Sequence, residues 1–242
     1  MNRPRLGFNV DHIATVRQAR LSLWPDPVAI AAMAEVAGAE QITLHLRADR
    51  RHVQDRDYLL LRETKKGLLN LEMAATPAML ELVLKHPPDM VTLVPERPEE
   101  LTTEGGLDVV AHPQEIAKAV HVLKERGVLV SLFVDSCPRQ LDASLKAGAQ
   151  RVELHTGHYC GESNLQLRFA EQQRIHKAAR HAVGLGLGCA AGHGLDYFNV
   201  APIAAMEEID ELNIGHSIVA RAFYAGIERA IKDMLQCMTR RP

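Results

Sequence analysis

The sequence has few of the features that mark a disulfide scaffold, a thiolate metal site or a membrane protein. Its four cysteines are scattered and form no C-x-x-C pair, which argues against a disulfide framework and a cysteine zinc site. No run approaches the roughly 18 apolar residues of a membrane span. No signal-peptide stretch precedes the first strand-like segment. These absences predict a soluble protein of the reducing cytoplasm.

An excess of charge of one sign and a flexible linker are also missing. The net charge is −2 and the pI is near 6.6, so the composition does not indicate nucleic acid or a membrane surface as a partner. No Ser/Gly/Pro-rich linker divides the 242 residues, and 47% of them are apolar. We expect one domain over residues 1–242, with small molecules and further copies of the chain as partners.

Short strand-like runs alternate with helical patterns along the chain. The eight predicted strands are Leu6–Val10, Gln41–Leu46, Leu68–Met73, Met90–Val94, Val128–Val134, Arg151–His155, Gly184–Cys189 and Glu211–Ile214. The predicted helices are Pro27–Ala37, Asp57–Lys66, Pro77–Lys85, Pro113–Arg126, Pro138–Ala147, Asn164–Ala182, Val200–Met206 and Ser217–Met238. This alternation predicts an α/β fold of the (β/α)8 TIM barrel type. An open doubly wound sheet is the alternative, but no G-x-G-x-x-G follows the first strand.

Several predicted strands alternate between apolar and polar residues, which is unusual for parallel strands covered on both faces. In the third strand, Asn70 and Glu72 alternate with leucines and a methionine. Helices separate the strands, so we assign the polar face to the barrel lumen. A polar lumen is costly unless function requires it.

Polar and ionisable groups also stand where apolar runs end. Six segments show this, namely FNVDH, ITLHLR, LNLEM, VELHTG, AGHG and NIGH. The carboxyl ends of the strands of a barrel meet at one face, where the active sites of such barrels lie. The six endings therefore predict one pocket.

Glu72 is the first candidate for proton transfer in this pocket. It stands one residue before the end of its strand, between apolar neighbours, where burial raises a carboxyl pKa toward the range of a useful acid or base. The alternative is a structural glutamate paired with Arg47 or Arg51.

Two histidines and a second glutamate are further candidates. His45 and His193 belong to a residue type that exchanges protons near neutral pH, although a hydrogen-bonding core histidine is the ordinary alternative. The Gly-His-Gly setting of His193 allows close approach to a ligand. Glu153 shares a strand face with His155, and either residue is suited to a direct or a supporting role.

Glycine-rich loops after the seventh and eighth strands are the expected phosphate sites of a barrel. They read Gly192–Gly194 and Asn213–Ser217, and they supply backbone N–H groups where an anion would bind. Arg20, Arg47 and His52 are further anion candidates, with solvated surface groups as the alternative.

The sequence offers little for metal or Schiff-base chemistry. His155 and His158 are candidate metal ligands, but no H-x-H pair or H-E-x-x-H motif is present, so we expect no catalytic metal and no cofactor. Every lysine falls in a helix or at a helix end, which argues against an enzyme imine. The amine of any imine would then come from the substrate.

The connection after the fourth predicted strand, Val94–Pro113, is longer than usual. We predict a lid over the barrel mouth, with Gly105–Gly106 as a hinge and Thr102 and Thr103 in contact with ligand. A surface loop is the alternative.

Motifs spread over most of the chain resemble the pyridoxine 5′-phosphate synthase family of the deoxyxylulose-phosphate-dependent vitamin B6 pathway. They are FNVDHIATVRQAR, ITLHLRADRRHVQDRD, NLEMA, LVPE, ELTTEGGLDV, VELHTG, AGHGL and ELNIGH. The resemblance implies a transferase-type synthase. Its substrates would be 1-deoxy-D-xylulose 5-phosphate and 3-amino-2-oxopropyl phosphate, which would close into a pyridine ring with loss of inorganic phosphate and water.

The resemblance also implies residue roles, which we carry over motif by motif. His45 and Glu72 would accept protons, His193 would donate one, and Glu153 would stabilise charged intermediates. The deoxyxylulose phosphate would be held by Asp11, His12, Arg47, His52 and Thr102. The amino ketone phosphate would be held by Asn9, Arg20, Gly194, Gly215 and His216.

Members of this family need no metal or organic cofactor and assemble as dimers gathered into octamers, with Arg20 reaching in from a neighbouring subunit. The chain departs from the family pattern after RQAR. The family commonly continues with G-T-x-Y-P-D-P, whereas this chain has LSLWPDP, so that Leu21 replaces a glycine beside Arg20.

Two other functions fit the residues without the resemblance. One is a metal-free epimerase or isomerase of sugar phosphates, which would use the same acid–base and phosphate groups. The other is a barrel without catalytic activity that binds a phosphorylated metabolite.

Overall fold

Eight parallel strands close into a barrel in chain order, as the TIM barrel prediction requires. The structure is a computed structural model and describes residues 3–96 and 105–239. The strands are β1 Arg5–Asn9, β2 Gln41–His45, β3 Leu68–Met73, β4 Met90–Leu93, β5 Leu129–Val134, β6 Arg151–His155, β7 Gly188–Gly192 and β8 Glu211–Ile214. β1 pairs with both β2 and β8, which completes the ring.

Helices surround the barrel on the outside. Those in the described residues are α1 Asp11–Gln18, α2 Pro27–Ala37, α3 Asp55–Thr64, α4 Pro77–Lys85, α5 Pro113–Glu125, α6 Pro138–Lys146, α7 Gly157–Gly161, α8 Leu165–Gly184, α9 Val200–Ala204, α10 His216–Ala225 and α11 Ile227–Cys237. Proline at the first turn and a capping side chain fix several starts. In α4, for example, Thr76 Oγ1 accepts a hydrogen bond from the N–H of Met79.

The described residues differ from the predicted elements mainly at four places, while other boundaries shift by one or two residues. β7 begins four residues later than predicted, because α8 continues to Gly184 and a turn with Gly186 at φ +82° follows it. α1 and α7 were not predicted. The predicted C-terminal helix is two helices, because Gly226 at φ +77° interrupts it.

Alternation in the strands divides the barrel into two environments. Leu69, Leu71 and Met73 are fully buried on the side that faces the helices. The opposite faces carry polar side chains that bond one another across the lumen, as in the bond from Thr92 Oγ1 to Asn70 Oδ1 at 2.9 Å. The predicted polar lumen is therefore confirmed.

A buried ion pair attaches α1 to the outside of the barrel. Arg17 donates to both carboxylate oxygens of Asp57 at 2.7 Å, and both side chains are almost fully buried. This contact between α1 and α3 fixes the segment in which Asp11 and His12 follow β1.

No helix of the described residues has the length and apolar character needed to cross a membrane.

Candidate active site

A cavity of about 1010 Å³ opens at the carboxyl ends of the strands. Its walls include eleven residues predicted from the sequence as site residues or as parts of the phosphate loops: Asn9, His12, Glu72, Glu153, His193, Gly194, Asn213, Ile214, Gly215, His216 and Ser217. They come from the ends of β1, β3, β6, β7 and β8 and from the loops that follow. Five of the six polar endings therefore surround one space.

The sixth ending, at β2, joins the same site through contacts below the cavity rim. One ligand-type atom from each of Asp11, His45 and Glu72 lies within 4.8 Å of the other two. Asp11 begins α1 above the barrel, and its Oδ1 accepts a hydrogen bond from the backbone N–H of His45 at 2.7 Å. The His52 ring lies 6.1 Å from that of His45.

Glu72 projects from β3 toward the cavity, and only part of its side chain is exposed. Burial raises the pKa of Glu72 well above the usual value for a glutamate, and the neighbouring carboxylates of Glu153 and Asp11 raise it further. The arginines considered as structural partners pair with Asp49 instead, Arg51 at 2.8 Å and Arg47 at 3.6 Å. The surroundings of Glu72 therefore hold a proton on its carboxyl more strongly than water does, as a group that exchanges protons requires.

Glu153 lies deep in the lumen within a network of buried polar groups. Asn213 Nδ2 donates to Glu153 Oε2 at 2.8 Å, and Asn213 Oδ1 accepts a bond from Thr43 at 2.9 Å. Burial raises the pKa of Glu153 to about 8, and the charge of Glu211 adds to the effect. Glu153 is thus poised to ionise when a positive charge forms beside it.

His193 stands at the end of β7 in an uncommon backbone conformation. Its φ is +79°, a left-handed value that is costly for a residue with a side chain, and Gly194 follows at φ +81°. Burial, with His155 and His12 nearby, lowers the pKa of His193 to about 4. The imidazole is therefore neutral at physiological pH in the unliganded protein.

His155 supports His193 from the neighbouring strand. The two rings meet edge to face with centroids 5.1 Å apart, and Nδ1 of His155 is hydrogen-bonded to Asp135 Oδ1 at 3.1 Å. The hydrogen bond with His155, together with a weaker effect of the Gly106 N–H on the same oxygen, lowers the pKa of Asp135. His155 occupies a supporting position in this geometry.

A second group of residues forms the side of the cavity suited to an anion. The rings of His12 and His216 lie 4.8 Å apart, and Gly215 and the first residues of α10 line the cavity. Burial lowers the pKa of His12 and of His52. The N–H groups at a helix start would donate hydrogen bonds to a phosphate. A neutral imidazole would donate from one ring nitrogen and could accept at the other.

Besides Asp11 and His52, which lie next to His45, two predicted binding residues are not among the cavity walls. Arg47 is almost fully buried at the end of β2, whereas Arg20 is exposed beyond α1. Leu21, beside it, has φ +48°, so leucine stands where a glycine conformation is required. Thr102 and Thr103 lie outside the described residues, and the lid they belong to remains a prediction.

Sequence reasoning missed Glu96, Asn213 as an individual side chain, and Asp135. Glu96 Oε1 is 2.9 Å from His45 Nε2, although 51 positions separate the two residues. The only sequence signal for Glu96 was its place just after β4, in the motif LVPE. Asn213 shares the polar face of β8 with Glu211, so alternation in that strand would have identified it.

Among residues 3–96 and 105–239, two clusters have donors of the kind that bind metal ions. They are Asp11, His45 and Glu72, and Asp135, His155 and His158. In the first cluster Asp11 accepts a hydrogen bond from the backbone N–H of His45. In the second cluster Asp135 is hydrogen-bonded to the ring of His155. Hydrogen bonding accounts for these contacts without an ion.

The fold is shared with many barrel enzymes of low sequence similarity. The chain superposes on phosphoribosyl anthranilate isomerase from Thermotoga maritima with a TM-score of 0.63 at 12% identity, covering 97% of this chain and 98% of that one. A structure titled "Native KDPGal structure" also gives 0.63, at 11% identity, with 96% and 92% covered. At these identities the likeness shows the architecture alone.

Sequence comparison gives a much closer relation. Pyridoxine 5′-phosphate synthase of Synechococcus sp. (strain JA-2-3B'a(2-13)) is 53% identical over 233 residues, 96% of this chain and 98% of the relative. The enzyme of the same name from Geobacter sulfurreducens is 54% identical over 231 residues, with 96% and 97% covered. The family model described as "Pyridoxal phosphate biosynthesis protein PdxJ" matches residues 6–240. The chain therefore belongs to the PdxJ family of pyridoxal phosphate biosynthesis proteins.

Proposed function

We propose that this chain joins 1-deoxy-D-xylulose 5-phosphate to 3-amino-2-oxopropyl phosphate by acid–base chemistry in the barrel lumen. The product is pyridoxine 5′-phosphate, released with inorganic phosphate and water. Its family and near full-length relatives make the chain a pyridoxine 5′-phosphate synthase. The observation that carries the proposed mechanism is the meeting of Glu72, Glu153 and His193 in one cavity with two shifted carboxyls.

The chemistry of the two substrates assigns work to these groups. Condensation of the substrate amine with a ketone gives an imine and water, so no lysine of the enzyme is required, and none lines the cavity within the described residues. Ring closure then needs protons removed from carbon and returned to leaving oxygens. We assign proton acceptance to His45 and Glu72 and proton donation to His193.

Glu153 is assigned the stabilisation of the cationic intermediates. With its pKa near 8 it is mostly neutral in the resting site, and it becomes an anion when a protonated imine forms close by. Asn213 donates to the same carboxylate and holds it in place through both states. A group that ionises only when charge develops stabilises the intermediate more than the bound substrate.

Two groups of residues are assigned to the binding of the two phosphorylated substrates. For the deoxyxylulose phosphate they comprise Asp11, His12, Arg47, His52 and Thr102. For the amino ketone phosphate they comprise Asn9, Arg20, Gly194, Gly215 and His216. The start of α10 and the left-handed turn at Gly194 support the second assignment.

Self-association is part of the proposal, with dimers gathered into a homo-octamer in the cytoplasm. Arg20 lies away from the cavity walls of its own chain, so it would complete the site of a neighbour. Exposed apolar side chains support an interface near this segment, since Leu21, Leu23 and Trp24 are each more than two thirds exposed.

A spectroscopic assay tests the proposed function. Purified protein given both substrates should develop the absorbance of a pyridoxine ring, and each substrate alone should give none. Conversion of the sugar phosphate alone would instead favour an isomerase, and binding without turnover would favour a metabolite-binding barrel. The assay is run with and without added divalent metal, and we expect equal rates.

Phosphate binding should make His193 a better proton donor. A phosphate near this imidazole stabilises its protonated form, so saturating inorganic phosphate should raise the pKa of His193 from about 4 by about 1–2 units. Titration of the 15N-labelled histidines by NMR measures the shift, with His193→Gln to assign the signal. An unchanged midpoint in protein shown to bind phosphate would contradict the assigned donor role.

A further inference from the structure

The carboxylate of Glu96 meets three donors at the point where β2, β3 and β4 end. His45 Nε2 lies 2.9 Å from Oε1, the N–H of Ala48 donates to Oε2 at 3.1 Å, and the N–H of Ala74 donates to Oε1 at 3.3 Å. The side chains of His45 and Glu96 are only 7% and 10% exposed. The contact is therefore enclosed and has a fixed geometry.

We propose that Glu96 is the positioning residue of His45. It holds a proton on Nε2 and so presents Nδ1 to the substrate as the proton acceptor. The proposal rests on the proposed function in one respect, because it takes His45 as a base. The arrangement of the ring itself is independent of that function.

Hydrogen-bond chemistry determines the tautomer. Burial alone would raise the pKa of Glu96, but the bonds from His45 and Ala48 outweigh it, and the pKa of Glu96 is below the usual value. An ionised carboxylate only accepts hydrogen bonds, so the ring nitrogen facing it must carry the hydrogen. A neutral imidazole has one N–H, which leaves Nδ1 with a free lone pair.

Two carboxylates hold His45, one at its ring and one at its backbone. Glu96 fixes the ring, and Asp11 accepts the backbone N–H of His45 at 2.7 Å. A carboxylate that selects the tautomer of a catalytic histidine is a known arrangement in other enzymes, where the matching amide lowers turnover strongly because the wrong nitrogen carries the proton. The same logic applies to Glu96 and His45.

The decisive variant is Glu96→Gln, which keeps the shape and removes the charge. The amide oxygen retains the shorter backbone bond, from Ala48, and the amide N–H2 then faces His45 Nε2. Since that nitrogen must now accept, the proton moves to Nδ1 and the base is lost. We expect kcat to fall by about 100-fold or more, with KM changed by no more than about twofold.

The matched control is Glu125→Gln on α5. Glu125 also pairs with a histidine, His121 at 3.3 Å, but both side chains are about 70% exposed and lie outside the site. This variant should keep wild-type kcat and KM. It measures the effect on the rate of removing a histidine–glutamate pair that lies outside the site.

The primary readout is the 15N spectrum of His45, recorded without substrates and assigned with His45→Gln. Wild type should show the Nε2–H tautomer and Glu96→Gln the Nδ1–H tautomer. An Nδ1–H tautomer in wild type, or the same tautomer in both proteins, would overturn the proposal. If Glu96→Gln does not fold, the wild-type spectrum alone decides. Failure of the synthase assay leaves this spectrum unaffected, so the two failures are distinguishable.

A double-mutant cycle separates positioning from a structural role of Glu96. Combined with His45→Gln, the Glu96→Gln change should reduce the residual rate by no more than about twofold. An equal loss in both backgrounds would show that Glu96 acts through the backbone bonds at Ala48 and Ala74, and it would overturn the proposal.

Discussion

Replacing Glu72 by glutamine should lower turnover by roughly 100- to 10,000-fold while both phosphorylated substrates still bind. The substitution removes the group that exchanges protons but keeps its size and its place at the end of β3. The amide matches the carboxyl in size and adds no charge beside Glu153 and Asp11, the two carboxylates that raise the pKa of Glu72. Steady-state rates and calorimetric binding of each substrate measure the two effects.

The control for this variant is Glu81→Gln, an exposed glutamate on α4. It should retain the wild-type rate. If Glu72→Gln keeps more than a tenth of the wild-type turnover, Glu72 has no role in proton transfer. If it loses both substrates as well as turnover, its role lies in binding.

Replacing Glu153 by glutamine should make the protein more stable at alkaline pH. Below the ordinary glutamate pKa of about 4.5 the carboxyl is protonated in both folded and unfolded states. Between there and pH 8 the unfolded chain loses this proton while the folded protein keeps it, so wild-type stability falls as the pH rises. From pH 5 to pH 8 the variant should gain roughly 3 kcal/mol relative to wild type, somewhat less than about 1.36 kcal/mol for each pH unit, because the folded carboxyl is half ionised at pH 8.

Urea unfolding at the two pH values measures this difference, with the exposed Glu63→Gln on α3 as control. The control should follow wild type at both pH values. A stability difference between Glu153→Gln and wild type that does not change with pH would mean that Glu153 is ionised in the folded protein. The variant should also lose activity, because glutamine cannot provide the negative charge that stabilises the cationic intermediate.

Much of the barrel could be predicted because its strands carry two independent signals. The alternation of Asn70 and Glu72 with apolar neighbours gave both the strand and the face that points into the lumen. The predicted helices that begin at Pro77, Pro113 and Pro138 begin there in the structure, with proline at the first turn. β7 was misplaced because the stretch from 184 to 192 has glycine at every second position up to 188, and apolar small residues follow, so its pattern has no clear limit.

The site could be predicted as a set of strand ends but not as a set of contacts. Glu72, Glu153 and His193 belong to local motifs, and the barrel geometry brings their strands together without further information. Glu96 carries no motif of its own for a hydrogen bond to a histidine in another βα unit. Nor does alternation reveal that α1 begins at Asp11 and turns its carboxylate toward the backbone of β2.

Leu21 illustrates the limit of prediction from a family pattern. Leu21 stands where the family pattern has a glycine, and its φ of +48° is a left-handed value that glycine adopts at little cost. The structure describes one chain, and Arg20 does not line the cavity of that chain. Its role at a neighbouring subunit therefore remains a prediction.

The most direct test of the central claim is the phosphorus balance of the reaction, followed by 31P NMR. Wild-type protein supplied with 1-deoxy-D-xylulose 5-phosphate and 3-amino-2-oxopropyl phosphate should consume them equally. It should yield pyridoxine 5′-phosphate and inorganic phosphate in a one-to-one ratio, and Glu72→Gln should yield neither at a comparable rate. Folded wild-type protein that binds both compounds and releases no phosphate would contradict the account.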